Sequence, residues 1–143
     1  MRKASEIILL IGFIFAILSA VGLCVSSIVF FVFGSPSFKE TVIEGINNGT
    51  IVVESSTPLT AEELATIYQV TMIGCGIGFL LGTLIEIALA VVLWFARNRR
   101  TTGLFVATIV LGALGGNVLP ILGSIFGLVA NGQENNQQPA QAE

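Results

Sequence analysis

Side chains that could do chemistry are scarce in this chain of 143 residues. It contains no histidine, which removes the commonest general base and the commonest metal ligand. Its two cysteines, Cys24 and Cys75, lie in separate apolar stretches and are too isolated for a zinc site. No nucleophile stands at a spacing that would pair it with a base. The sequence therefore predicts that the protein is not an enzyme, has no cofactor or metal site and binds no nucleic acid.

Glu86 is the most informative single residue, because it lies inside a long apolar stretch. It precedes Arg97 by eleven residues, which is about 16 Å along a helix and close to the middle of a bilayer core about 30 Å thick. An ionised carboxylate there costs about 2.5–3.5 kcal/mol on insertion scales, so we expect a protonated group.

The expected structural role of Glu86 is a hydrogen bond to a hydroxyl or carbonyl group on a neighbouring helix. Ser19 and Asn117 lie at a suitable depth in their own apolar stretches. A second interpretation is a proton- or cation-responsive site in a transporter or channel, since ionisable groups within spans often mark such pathways. A third is contact with a larger partner.

Small residues repeat every four positions in two of the apolar stretches. The two sets are Gly74, Gly78 and Gly82, and Gly12, Ala16 and Ala20. Such a repeat places bare backbone along one helix face, where another helix can approach closely. The pattern predicts helix packing, either inside the chain or between copies.

The composition indicates that the elements carrying these residues are embedded in lipid. Hydrophobic residues make up 54% of the chain and charged residues 10%, against about 25% charged in soluble proteins. The first apolar run, Ile7 to Phe33, has 27 residues without a charge, and a spanning helix needs about 20. A signal peptide has an apolar region of only about 7–15 residues, so we predict an uncleaved anchor.

Residues 34–65 form a polar, acidic segment that precedes a second span. Pro36 should end the first helix, and Ser37 with Glu40 has the spacing of a capping box for a short amphipathic helix. Thr60 and Glu63 form another capping box. It begins a helix that runs to residue 96, of which 66–96 is the membrane part.

The last apolar stretch, residues 103–130, fits one span or two. It is interrupted by Gly115-Gly116-Asn117 and by Pro120. As one helix it measures about 42 Å, which is enough for a tilted span, whereas two helices would each measure about 21 Å. Length favours one span and the turn-like sequence favours two. The polar tail, residues 132–143, is expected to be disordered.

Basic residues predict the orientation. Five of the six flank the first two apolar runs: Arg2, Lys3, Arg97, Arg99 and Arg100. The positive-inside rule places them in the cytoplasm, so the N-terminus is cytoplasmic and residues 34–65 are external. Cys24 and Cys75 then lie about 13 Å and 10 Å below the outer surface, either as a disulfide or as free apolar side chains.

The order of these features resembles a family of small, glycine-rich, four-span membrane proteins of Gram-positive bacteria, whose function is unknown. The likeness lies in the basic N-terminus, the external segment from Phe38 to Glu63, the basic turn after the second span, the apolar segment starting at Gly103 and the short closing run from Val118 to Gly127. The resemblance implies a four-helix transmembrane bundle with spans at about 7–33, 66–96, 102–116 and 118–131. It implies no catalytic residues.

Together these observations predict an all-α integral membrane protein of the cell membrane with four spans, or three, and a small external segment. The leading functional hypothesis is an accessory subunit or scaffold that packs against itself or a larger membrane complex. The alternative is a small proton- or cation-linked transporter or channel component centred on Glu86.

Overall fold

The computed structural model describes residues 2–53 and 59–137. Five helices and no strand occur within these ranges: α1 (Arg2–Phe33), α2 (Pro36–Asn47), α3 (Ala61–Arg99), α4 (Thr102–Leu114) and α5 (Val118–Gln137). The all-helical class is confirmed. Helix α5 extends through residues 132–137, where disorder was expected. The helix can continue this far because no proline interrupts the chain between Ile121 and Gln137. The rest of the predicted tail, 138–143, lies outside the described residues.

Helices α1 and α3 are long and apolar enough to cross a membrane. Only 22% of the most apolar window of α1 is buried, and 33% of that of α3, whereas the core helix of a soluble protein would be mostly buried. Large apolar side chains such as Leu18 and Val70 are 62% and 65% exposed. This exposure is typical of helices that face lipid.

Capping residues define the ends of helix α2. Ser35 is its N-cap and accepts a hydrogen bond from the backbone N–H of Phe38 at 3.4 Å. The cap predicted at Ser37 is therefore wrong, because Pro36 occupies the first helical turn, where its missing N–H costs nothing. The helix ends at Asn47, with Asn48 as its C-cap, within the run Asn47-Asn48-Gly49, whose residue types indicate a helix end.

The start of α3 is the capping box predicted from Thr60 and Glu63. The Glu63 carboxylate accepts hydrogen bonds from the Thr60 N–H and hydroxyl, both at 2.8 Å, and the Glu63 N–H donates to the Thr60 Oγ1 at 3.3 Å. Glu63 precedes residues 66–96, the segment predicted to lie in the membrane. The backbone and hydroxyl hydrogen bonds from Thr60 lower the pKa of this carboxyl group.

The chain divides into two compact units, to both of which α1 and α3 contribute. The first comprises residues 1–21 and 82–143. Its apolar core is built from four helices: Leu9 and Ala16 of α1, Leu89, Ala90, Leu93 and Ala96 of α3, and Phe105 of α4, with Leu128 of α5 packed against it.

Helices α4 and α5 form an antiparallel hairpin in this unit. Gly112 of α4 faces Ile121 of α5, and Gly127 of α5 faces the ring of Phe105. A Cβ added at Gly127 would lie 2.5 Å from that ring, so only a glycine permits this approach of the two helices.

The hairpin packs against the beginning of α1. A Cβ at Gly123 of α5 would lie 3.0 Å from Leu9, and one at Gly12 would lie 3.3 Å from the ring of Pro120. The buried Ser5 hydroxyl donates to the Gly123 carbonyl oxygen at 2.8 Å. Ser5 of α1 thus contacts Gly123 of α5, and Gly12, further along α1, contacts Pro120, which comes earlier in α5. The two helices are therefore antiparallel.

The second unit, residues 22–81, pairs the end of α1 with the beginning of α3 and with α2. The Ser27 hydroxyl donates to the Gly76 carbonyl oxygen at 2.9 Å, and Phe31 packs on the bare backbone of Gly76. Phe38 of α2 stacks on Tyr68 of α3 with ring centroids 6.0 Å apart. These aromatic contacts hold α2 against the first turns of α3.

Helix lengths do not confirm four full spans. Helix α4 has 13 residues, about 20 Å, and the apolar part of α5 up to Ala130 has a similar length. Both are shorter than a bilayer core of about 30 Å.

Candidate functional site

Glu86 of α3 is a buried carboxyl group at a turn between two helices. Its side chain is 4% exposed. The side-chain amide of Asn117 donates a hydrogen bond to Glu86 Oε1 at 2.7 Å. Both residues belong to the first compact unit. The contact joins the middle of α3 to the connection between α4 and α5.

Local backbone geometry explains why this turn reaches the carboxyl group. The Asn117 N–H donates to the Gly112 carbonyl oxygen at 2.8 Å, and the Gly115 N–H donates to that of Leu111 at 2.9 Å. Between them Gly116 has a φ of +69°, a left-handed conformation that glycine adopts without steric cost. The chain thereby reverses in three residues and directs the Asn117 amide towards α3.

The glycine at position 115 lets the turn lie close to the carboxyl group. A Cβ added there would lie 3.0 Å from Glu86 Oε1, tighter than an ordinary van der Waals contact, so the carboxyl group would have to move slightly. Glu86 therefore lies against bare backbone on one side and an amide donor on another.

The second carboxyl oxygen, Glu86 Oε2, is buried and has no hydrogen-bond partner among the described residues. A buried polar atom without a partner is costly, and such atoms often mark a functional site. The carboxyl group could bind a proton or a small cation at this oxygen. No cluster of three acidic, histidine or cysteine side chains that could hold a metal ion occurs in ranges 2–53 and 59–137.

The structure brings together one of the two residue pairs proposed around Glu86. Asn117 is the partner of Glu86. The Asn117 amide donates the hydrogen bond and the carboxyl oxygen accepts it, whereas a bond from a protonated Glu86 to a hydroxyl or carbonyl group was expected. Ser19 is half-buried and makes no described hydrogen bond to Glu86. Sequence reasoning missed Gly115, because Gly-Gly-Asn indicates a turn but carries no signal for the side chain against which the turn packs.

The two sets of small residues have different environments. Gly12, Ala16 and Ala20 are buried. Gly74 and Gly78 are exposed, and a Cβ added at either would meet no atom within 4 Å among the described residues.

The packing glycine in that part of α3 is Gly76, where a Cβ would lie 3.1 Å from the Phe31 ring. Gly82 is half-buried. Among the described residues, Gly74 and Gly78 therefore do not pack against another helix of the chain, whereas Gly76 lies on a different side of α3 and meets α1.

The cysteines do not form a disulfide. Cys24 and Cys75 are free and exposed. Of the two alternatives left open by the sequence, the structure has the unpaired state.

No family model, no curated protein and no solved structure matches the chain. The class that the structure defines is a helical protein with two helices long and apolar enough to cross a membrane. The resemblance to four-span bacterial membrane proteins stays a prediction.

Proposed function

We propose that this chain is a non-enzymatic membrane protein that acts as a scaffold or accessory subunit through helix–helix packing. The observation that carries the proposal is the open face of α3 at Gly74 and Gly78. Many other helix glycines, such as Gly12, Gly76 and Gly123, are closely approached by side chains of the same chain.

An unoccupied glycine face is costly to a helix. Each glycine lowers helix stability by about 1 kcal/mol relative to alanine, and in lipid this cost is offset when a second helix approaches closely. A symmetric pair of α3 helices would bring two such faces together, because a two-fold interface uses the same patch on both subunits. The first partner we propose is therefore a second copy, and the second is a larger membrane complex.

Cross-linking through Cys75 tests this association. Cys75 is exposed and lies between Gly74 and Gly78, so a short thiol-specific cross-linker should trap dimers in reconstituted vesicles when Cys24 is replaced by serine. Gly74→Leu and Gly78→Leu should abolish the cross-linked dimer by blocking close approach. Gly22→Leu is the matched control, because Gly22 is also exposed and open. Dimer yields that are unaffected by both α3 substitutions would refute the proposal.

The membrane arrangement we propose is two spans, α1 and α3, with α4 and α5 as a hairpin that enters and leaves on the basic side. Its support is the turn beside Glu86, which lies 13 residues, or about 20 Å, before Arg99. The turn would thus lie inside a core about 30 Å thick. Both termini would be cytoplasmic and residues 34–65 external.

Thiol labelling distinguishes this hairpin from four full spans. In a cysteine-free background, Val118→Cys places a thiol at an exposed position beside the turn. An impermeant maleimide added to intact cells should not label it, whereas four spans would present it outside. Val52→Cys, at a position 82% exposed, is the control and should be labelled. Labelling of both thiols would refute the hairpin.

A second candidate function is a proton- or cation-linked transporter or channel component. The specific observation in its favour is the buried, unpartnered Glu86 Oε2. Glu86→Gln keeps the size of the side chain but removes the titratable group. A transporter should lose pH-dependent flux in liposomes with this variant, whereas a scaffold should retain its cross-linked dimer. Unchanged flux in the variant would eliminate this candidate.

A further inference from the structure

Five basic residues lie at the beginning of α1 and around the end of α3, and the structure describes the side chains of four of them: Lys3, Arg97, Arg99 and Arg100. One of these four is neutralised within the chain. The Arg100 guanidinium forms an ion pair with Glu6. The main-chain carbonyl oxygen of Arg100 accepts a hydrogen bond from the Asn131 side-chain amide at 2.7 Å. Arg100 also has a φ of +49°, an uncommon left-handed conformation. These contacts give Arg100 a structural role between α1, α3 and α5.

Arg97 and Arg99 have no acidic partner among the described residues. Arg97 is half-buried and Arg99 exposed. Lys3 at the start of α1 is also exposed. Among the side chains that the structure describes, four positive groups and one carboxylate, Glu6, thus lie in this part of the first compact unit. Their net charge is positive and attracts anions.

An exposed aromatic ring lies one turn before each unpaired arginine. Trp94 and Phe95 are 49% and 42% exposed, and the Arg99 guanidinium lies 5.6 Å from the centroid of the Phe95 ring. Arg97 follows Trp94 by three residues, so their side chains are neighbours on the helix surface. Each pair therefore presents a cationic group beside an apolar ring.

We propose that these two arginine–aromatic pairs bind anionic phospholipids. A guanidinium group matches a phosphate with two parallel hydrogen bonds, while exposed aromatic rings fit the region where headgroups meet acyl chains. The occupant is a lipid rather than a free phosphate, because free phosphate would leave the apolar surface of Trp94 and Phe95 uncovered. The proposal needs the membrane location but is independent of self-association and of Glu86.

Fluorescence quenching can test the proposal, because Trp94 is the single tryptophan of the chain. The full chain is reconstituted in phosphatidylcholine vesicles with a minor fraction of phosphatidylglycerol, and either lipid carries the brominated quencher. Brominated phosphatidylglycerol should quench Trp94 more than its share of the bilayer. A basic residue near an anionic surface favours binding by about fivefold. Arg97→Gln and Arg99→Gln should each lower the preference by that factor.

Lys39→Gln is the matched control, because Lys39 lies in α2, away from the start of α1 and the end of α3, and its loss should leave the preference unchanged. Arg99→Lys should retain most of it. Arg99 is exposed, so its variants test the idea even if Arg97→Gln fails to fold.

Quenching by each brominated lipid in proportion to its share of the bilayer would overturn the proposal, as would equal losses in the Lys39 and Arg99 variants. Displacement by dissolved glycerol phosphate at a concentration equal to that of the lipid would assign the site to a free phosphate and would also overturn it.

Discussion

The hydrogen bond between Asn117 and Glu86 should stabilise the contact of the α4–α5 turn with α3. Interhelical hydrogen bonds in membrane proteins contribute about 0.6 kcal/mol on average and up to about 1.7 kcal/mol. This bond is short, at 2.7 Å, and its acceptor is 4% exposed, which favours the upper half of that range. Asn117→Ala would also leave Glu86 with neither carboxyl oxygen paired. We expect a loss of about 1–2 kcal/mol in the free energy of unfolding.

A double-mutant cycle isolates the pair. Asn117→Ala, Glu86→Ala and the double variant are unfolded in mixed micelles with increasing SDS, followed by Trp94 fluorescence and helical circular dichroism. Trp94 is a suitable reporter, because its ring contacts that of Phe13 in the same unit, with centroids 5.7 Å apart. The expected coupling energy is about 1 kcal/mol.

Asn98→Ala is the control for the loss of an asparagine, since Asn98 is exposed at the end of α3. It should leave the free energy of unfolding unchanged. If the losses in the free energy of unfolding of the two single variants sum to that of the double variant within about 0.3 kcal/mol, the hydrogen bond does not stabilise the fold. The contact between the α4–α5 turn and α3 would then be refuted.

Two further predictions concern other parts of the chain. Gly127→Ala should destabilise the protein by about 1–3 kcal/mol in the same SDS titration, because the added Cβ would overlap the buried ring of Phe105; the same substitution at Gly103, where space is open, should not. The lowered pKa of Glu63 means that its cap stabilises α3 above the ordinary carboxyl pKa and loses this effect as the pH falls through the lowered value. The protection of the amides at the start of α3, measured relative to their intrinsic exchange rates, should therefore fall in acid. Glu63→Gln should remove that pH dependence; equal acid sensitivity in both proteins would contradict it.

Local signals in the sequence were sufficient wherever neighbouring residues decide the outcome. The capping box at Thr60 and Glu63 and the end of α2 at Asn47 both follow from hydrogen bonds between residues a few positions apart. The capping residue of α2 was misplaced from Ser35 to Ser37, because two serines flank the same proline and the sequence does not show which one adopts the extended conformation.

The positions of the glycines show where such reasoning ends. A repeat of four residues identifies a bare helix face, but it does not say which helix covers it. The contact of Phe31 with Gly76 depends on how α1 and α3 rotate about their own axes, and that rotation leaves Gly74 and Gly78 uncovered. Rotation is set by the packing of all side chains along both helices, so no short pattern encodes it.

By itself the sequence determined that the chain is helical and that two of its helices are long, because an uncharged run of 27 residues and the helix after Thr60 need only their own composition and backbone hydrogen bonds. The sequence left open whether residues 103–130 form one helix or two, and whether Ser19 or Asn117 meets Glu86. The tertiary structure decided for two helices that fold back as a hairpin and for Asn117 in their turn. That contact joins residues 31 positions apart. Gly116 reverses the chain through local backbone geometry, but the contact with Glu86 forms only once α3 packs against this turn.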